Sequence, residues 1–311
     1  MNNDVTKRRS KVIQLWCWLF MMPAILLFLT FQAWPIAKTF WYSLYDWSGI
    51  GNNMRFAGLA NYVELVKDAN FWRAIKNNYW FTLWVVPLQM IIGLVLAIVL
   101  NTGNSKLNNT FRTAFFLPVV TTAAIIGIIL GFVFSYDGPV TVFLSALGLC
   151  KPGTSWLANS STAMGTTIVI YVWKNVGTSM IYWLAGLQSI PQDLYESAEI
   201  AGCNKIKTFW YITLPLLLPI GLVIGLLNLI SSLKLFDLVK TLTNGGPYYS
   251  TDVIALYIYR YAFSADMGSP RIGYASASAM LFGIITLVVV GSASLLANGI
   301  RKAADIKKGV D

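Results

Sequence analysis

Six long apolar stretches alternate with polar intervals along the chain. At 1.5 Å of rise per residue, about 20 residues in a helix cross the hydrocarbon core of a bilayer. The pattern therefore predicts an all-α polytopic membrane protein with spans near 12–35, 80–100, 114–134, 162–187, 212–233 and 275–296. The first begins with an unbroken run from Val12 to Phe31 and is expected to end near Pro35. Its basic start resembles a signal peptide, but the apolar run is too long and no A-x-A site follows, so it reads as a retained span. Pro87 and Gln89 fall inside the second span. Gly127 with Gly131, and Gly221 with Gly225, place G-x-x-x-G pairs in the third and fifth, a spacing that permits close helix contact. Trp173-Lys174-Asn175 interrupts the fourth, with Gly177 as a candidate kink.

The polar intervals have features of their own. Residues 38–78 contain a short helical pattern at Leu59–Lys67, and residues 101–112 form a short link. Residues 136–160 carry Gly138-Pro139 and Pro152-Gly153 turns around an apolar helix near Val142–Leu147. The long interval 234–273 holds Asn244-Gly245-Gly246-Pro247 and then a helix-like stretch, Asp252–Phe263. Between the fourth and fifth spans, Ser189–Pro219 starts with a helix stop and a new N-terminus at Ile190-Pro191-Gln192-Asp193. Leu194–Ala201 can form an amphipathic helix carrying Tyr195, Glu196, Ala198 and Glu199, which Gly202 breaks. A second short helix, Asn204–Ile212, is expected ahead of Pro215 and Pro219. A helix–Gly–helix wedge of this kind suits a knob that docks on another protein, and equally a polar loop that only turns the chain.

Composition supports the membrane reading: 56% of the 311 residues are hydrophobic and 12% charged, against roughly 25% charged in soluble domains. Mean hydropathy is +0.61. The net charge of +10 sits at segment ends, so it bears on membrane orientation and not on nucleic acid. Segments 1–11, 102–112, 190–212 and 299–311 hold 12 Lys and Arg in 58 residues, and the opposite segments 38–78, 136–161 and 234–273 hold 10 in 107. The positive-inside rule then puts both termini and the 189–215 loop in the cytoplasm, with a 12–298 transmembrane region between a cytoplasmic N-terminus (1–11) and tail (299–311). Trp41, Tyr42, Trp47, Tyr257, Tyr259 and Tyr261 fit an interfacial belt on the outer side. The three cysteines, Cys17, Cys150 and Cys203, are too far apart to suggest a disulfide framework.

Several chemistries are excluded. The chain has no histidine, which removes the commonest metal ligand and general base. It has no G-x-x-x-x-G-K-[ST] nucleotide loop and no acidic residue inside a predicted span, which weakens an ion-coupled carrier. Lys174 is the one charge in a span, and with Trp173 and Asn175 it forms a polar and aromatic cluster suited to a solute path. A structural alternative is that Lys174 pairs with a carbonyl or a partner. Asn228, Ser231 and Ser232, with Ser276 and Ser278, could line the same path or simply hydrogen-bond between helices. Hydroxyls, amides and rings together suit a sugar.

IPQDLYESAEIAGCNKIKTFWYITLPLLLP (190–219) resembles the cytoplasmic EAA loop of ABC-importer permeases, with Glu196, Ala198 and Gly202 at its key positions and Leu214-Pro215 closing it. FAGLANYVELVKDANFWRAIKNN (56–78), RTAFFLPVV (112–120), LTNGGPYYST (242–251), ALYIYRYAF (255–263) and IGYASASAM (272–280) resemble the carbohydrate permeases of the maltose/glycerol-phosphate type. The resemblance implies the type I importer permease fold and a transporter subunit, not an enzyme, in the bacterial cytoplasmic (inner) membrane. It implies a second homologous permease completing the pore, two ABC ATPase subunits carrying ATP and Mg, and an extracellular or periplasmic solute-binding protein. Sugar and membrane lipid are the remaining partners; this chain would hold no cofactor, metal or nucleic acid. Leu194, Tyr195, Glu196, Ala198, Glu199 and Gly202 would then form the ATPase-coupling helix, with Glu196 pairing with an ATPase cation. Asn244, Gly245, Gly246 and Pro247 would face the binding protein or the outer mouth. Ala201 departs from the acidic residue usual before the loop glycine, Ser197 departs from the middle of the E-A-A triplet, and 38–78 lacks the large domain inserted in the maltose-type relative. The competing expectation is a stand-alone secondary carrier or channel for a small polar solute.

Overall fold

The computed structural model describes the chain except residues 1, 52, 102–105, 265–267 and 309–311, and gives backbone only for 2–12 and 300–308. Residues 102–105 of the expected link after the second span, and the side chains of the basic ends (Lys7, Arg8, Arg9, Lys11, Arg301, Lys302, Lys307, Lys308), therefore lie outside the described residues. The chain divides into two units, 1–67 with 258–281 and 68–257 with 282–311.

The first unit opens with α1 (Asn2–Phe28), a π-helical turn π1 (Leu29–Ala33) and α2 (Trp34–Ser43). Together they make an apolar helix over Ile13–Ser43, so the helix itself runs on past Pro35. A proline removes one backbone N–H and its ring crowds the carbonyl four residues back. The wider π turn immediately ahead of it relieves that crowding and lets the helix continue. A two-residue antiparallel pair follows, β1 (Tyr45–Asp46) with β2 (Arg55–Phe56), and then α3 (Ala60–Lys67), where the short helix was expected. Asn61, buried in α3, donates to the carbonyls of Ser43 and Tyr45, both at 2.9 Å. Glu64 of α3 grips Arg271 bidentately at 2.6 and 2.7 Å. That hydrogen-bonded carboxylate raises the Arg271 pKa above its ordinary value.

The second unit contains α4 (Ala69–Leu100), α5 (Lys106–Val120), α6 (Ala123–Val133), α7 (Pro139–Ala146) and α8 (Ala163–Gln188). It continues with α9 (Gln192–Ile200), α10 (Lys205–Thr208), a second π turn π2 (Phe209–Thr213), α11 (Leu214–Leu233) and α12 (Asp237–Leu242). α13 (Ile254–Phe263) and α14 (Ile272–Lys308) are divided between the units. Among the described residues, Ala69–Leu100, Lys205–Leu233 and Ile272–Gly299 join Ile13–Ser43 as helices long and apolar enough to cross a membrane. The bent pair α5–α6 makes a fifth if its two helices are counted as one span. α8, at 26 residues, occupies the expected fourth span but is not among these apolar helices.

α8 is the axis of this unit. Met180, Trp183, Leu184 and Leu187 pack with Ala97 and Leu100 of α4 and Leu217 and Ile224 of α11 in one buried cluster. Trp183 keeps its indole N–H satisfied by donating to the Met90 carbonyl at 3.1 Å. The G-x-x-x-G pairs resolve unequally. Gly127 lies against Thr241 and the Leu238 carbonyl of α12, whereas a Cβ added at Gly131 would meet no other element within 4 Å among the described residues. Gly221 faces the Trp183 ring and Gly225 faces the Met90 sulfur.

Three expectations about these elements change. The third stretch, 114–134, is not one helix: α5 and α6 meet at 100°, with Thr122 extended at ψ 140° between them. Pro118 cannot donate to the carbonyl one turn earlier, and the β-branched run Val119-Val120-Thr121-Thr122 favours leaving the helix there. Gly177 does not kink α8, which is continuous; a side chain at this position would run into the Phe115 carbonyl of α5. The expected separate helix Asn204–Ile212 is instead the start of the fifth span, because π2 precedes Pro215 as π1 precedes Pro35. The interval after α11 also begins differently from an outer loop: Leu235, Leu238, Val239 and Leu242 are all buried.

Candidate functional site

The turn between α8 and α11 is built from its termini inward. Pro191 is the N-cap of α9, and Asp193 stands in its first turn, where a carboxylate complements the helix dipole. At the other end the Cys203 N–H donates to the Ala198 carbonyl and the Gly202 N–H to the Glu199 carbonyl, both at 2.9 Å. These are the two bonds of a Schellman closure, which requires a left-handed residue just after the C-cap. Gly202 supplies it at φ +75°. Asn204 then caps α10 by accepting from the Lys207 N–H at 2.8 Å.

This geometry sorts the α9 side chains. Ala198 is buried and Tyr195 half-buried; Leu194, Glu196, Glu199 and Ile200 are exposed, Ile200 at 89%. The Tyr195 hydroxyl lies 3.3 Å from Thr213 Oγ1, tying α9 to π2 at the base of α11. Beneath it, a cleft of about 580 Å³ is lined by Tyr195, Glu199, Cys203, Asn204, Lys205 and Thr213, among others. One face of α9 is thus anchored to the body while an acidic and apolar face is held out.

The solute-path candidates separate into two groups. Lys174 and Asn175 of α8 and Ser231 of α11 share a small cavity of about 190 Å³ with Tyr171, Lys234 and Asp237. Lys174 is 7% exposed, and its ammonium donates to the Val119 carbonyl at 3.3 Å, the carbonyl pairing foreseen as the structural alternative. Asn175 donates to the Tyr171 carbonyl one turn back. The remaining candidates lie elsewhere. Trp173, one residue round the helix from Lys174, is 48% exposed. Asn228 donates to Ser179 Oγ at 3.0 Å, and Ser232 lies 3.1 Å from Thr82 Oγ1, so both join buried interhelical pairs.

The Asn244–Pro247 loop is cross-braced. Thr251 Oγ1 donates to the Gly246 carbonyl at 2.7 Å and lies 2.7 Å from Thr243 Oγ1. Asn77 of α4 donates to the carbonyls of Tyr249 and Asp252, and Lys240 donates to Asn244 Oδ1. Asn244, Tyr248 and Tyr249 all have positive φ, a conformation that non-glycine residues adopt only when their surroundings impose it. Tyr248 is left 89% exposed.

Sequence reasoning missed Tyr171, Lys234 and Asp237 as walls of the cavity and Thr213 as the anchor of Tyr195. Tyr171 stands three residues before Lys174 and is on the same helical face, a signal that was available. Lys234 and Asp237 read as the start of an outer loop, and only the burial of α12 brings them inward.

Comparison with known proteins agrees with this geometry. Residues 89–302 match the family described as "Binding-protein-dependent transport system inner membrane component". The probable ABC transporter permease protein YurN of Bacillus subtilis is 36% identical over 88% of this chain and 92% of its own length. The multiple sugar-binding transport system permease protein MsmF of Streptococcus mutans is 32% identical over 96% and 99%. The lactose transport system permease protein LacF of Rhizobium radiobacter is 36% identical over 79% and 83%. A chain in the crystal structure of a bacterial ABC transporter involved in the import of the acidic polysaccharide alginate matches at TM-score 0.81 and 26% identity, covering 94% of this chain and 99% of that one. A bacterial alginate ABC transporter in complex with an alginate pentasaccharide-bound periplasmic protein matches at TM-score 0.79. The family match covers well over half of the described helices, the relatives align nearly end to end, and the turn and cavity lie within the matched region: the chain belongs to the family of binding-protein-dependent transport system inner membrane components, as a multi-pass permease subunit of an ABC importer.

Proposed function

We propose that this permease imports a sugar or oligosaccharide, forming half of a translocation pore with a second homologous permease. The observation that carries the mechanism is the closed turn at Gly202, which presents Leu194, Glu196 and Ile200 while Tyr195 and Ala198 face the body. That exposed face is the docking face for one of two ABC ATPase subunits, with Glu196 meeting a cation there. ATP and Mg bind on the ATPase, and closure of its dimer moves α9. Both termini and α9 are cytoplasmic, on the density of Lys and Arg in those segments. The solute-binding protein delivers sugar on the opposite side, where the braced Asn244–Pro247 loop and Tyr248 offer a rigid contact. The cavity of Lys174, Asn175 and Ser231 lies on the solute path; Trp173 faces lipid or the second permease, and Asn228 and Ser232 hold helices together. The sugar-transport relatives support carbohydrate as the substrate class.

The test is reconstitution in proteoliposomes with the partner permease, the ATPase and the binding protein, using the sugar that a thermal-shift screen of the binding protein identifies. Uptake is expected only with ATP and binding protein both present. Transport of that sugar by the purified chain alone, without ATP, would replace this reading with a stand-alone carrier.

A further inference from the structure

Lys174 is a buried charge in the middle of α8, and its surroundings assign it a more specific task than lining a path. α5 ends at the 100° break, and the last carbonyls of any helix lack intrahelical partners. One of these, on Val119, receives the Lys174 ammonium. The C-terminal end of a helix carries partial negative charge, so a cation is favoured there, the more so where water is scarce. One turn earlier on α5, the Phe115 carbonyl meets α8 at Gly177, where a side chain would collide. Phe115 and Val119 are four residues apart on α5, and Lys174 and Gly177 three apart on α8, so the two contacts form a single stripe across the crossing. Beyond the break, Ala123 at the start of α6 borders the cavity that Lys174 lines, and Gly127 seats α6 against α12. α8 is unbroken from Lys174 to Gln188, about 21 Å at 1.5 Å per residue, and leads through Ser189–Pro191 directly into α9.

We propose that Lys174 is a positioning residue that clasps the end of α5 to α8, so that α8 works as a rod carrying movement of α9 to the α5–α6 elbow and the cavity wall. Its ammonium is engaged by the protein and does not hold the solute. The proposal rests on the coupling role given to α9 above.

The test uses the complete transporter with Cys17, Cys150 and Cys203 replaced by serine and spin labels at two exposed positions, Leu117 on α5 and Ile128 on α6. Distances are measured in the nucleotide-free and ATP–vanadate-trapped states and scored on assembled complexes only. The label distance is expected to shift on trapping in the otherwise unmodified complex. In Lys174→Met, which keeps the side-chain bulk without its charged donor, the distribution should broaden about twofold and the shift fall to less than about half. Lys174→Arg should restore both. A Lys174→Met complex with the unmodified width and shift overturns the clasp and leaves the coupling role of α9 standing. No shift in the complex that retains Lys174 overturns the clasp together with the coupling reading.

Discussion

Exchanging Gly177 for alanine tests the α5–α8 crossing that the Lys174 region depends on. A Cβ added there would lie 3.0 Å from the Phe115 carbonyl carbon, 3.1 Å from Phe116 Cα and closer still to the Phe115 oxygen. All three are backbone atoms, which no side-chain rotation can move aside, so α5 must shift by up to about 1 Å. Overpacking of this kind costs about 1–3 kcal/mol, partly offset by the roughly 0.5–1 kcal/mol that alanine gains over glycine in a helix. Gly165 provides the control, because it lies on the same helix and a Cβ added there would meet nothing within 4 Å. Gly165→Ala therefore keeps the gain without the clash. The two variants should differ by about 1–3 kcal/mol, which corresponds to several degrees in apparent Tm, at ~2–4 °C per kcal/mol for a large domain. The assay is thermal unfolding at a fixed scan rate in one detergent, followed by tryptophan fluorescence. Gly165→Ala should unfold above the unmodified chain and Gly177→Ala below it. If Gly177→Ala matches or exceeds Gly165→Ala, the close backbone approach is wrong, and the two-point contact with Lys174 fails with it.

Two further perturbations follow from the geometry at other sites. Thr251→Val removes the hydroxyl that serves both Gly246 and Thr243 at a fully buried position; the stranded partners should cost about 1–3 kcal/mol. Chymotrypsin should then cut the Tyr248–Tyr249 segment several-fold faster, and an unchanged cleavage rate would show that the brace does not hold the loop. The Glu64–Arg271 pair is 51% and 36% exposed, so a double-mutant cycle with Glu64→Gln and Arg271→Gln should give no more than about 1 kcal/mol, falling further in high salt. Because Glu64 raises the Arg271 pKa, the guanidinium's share is fully present below its unfolded value and is lost only as pH rises through the raised one. Stability measured from neutral to mildly alkaline pH should therefore show no loss from Arg271, and a decline in the unmodified chain that Arg271→Gln abolishes would contradict the assignment.

Much of the architecture was legible in the sequence because single residues declare it. Pro191 and Gly202 mark the start and end of α9, and apolar runs of membrane length mark most of the spans. What could not be read locally was decided by neighbours in space. Pro35 and Pro215 look like helix stops, yet each is preceded by a π turn that lets the helix run on. Pro118 followed by four β-branched residues looks no worse than these, yet it ends a helix and creates the elbow. Hydropathy placed residues 235–242 outside the membrane because Lys234, Asp237 and Lys240 punctuate them, although Leu238 and Val239 are buried. Among the site residues, the exposed face of α9 follows from its own periodicity. The partners of Asn228, Ser232 and Lys174 lie on other helices, at separations of 49, 150 and 55 residues, and no local pattern encodes them.

The central claim is that the α9 turn passes ATPase closure to the pore, and substituting its two principal residues tests it most directly. Glu196→Lys reverses the exposed charge. Gly202→Pro imposes a negative φ where the closure needs +75° and removes the N–H that bonds Glu199. In proteoliposomes containing assembled transporter, both variants should abolish ATP hydrolysis stimulated by sugar-loaded binding protein, while the detached ATPase keeps its basal rate. Stimulated hydrolysis at the unmodified level in both variants would contradict the account.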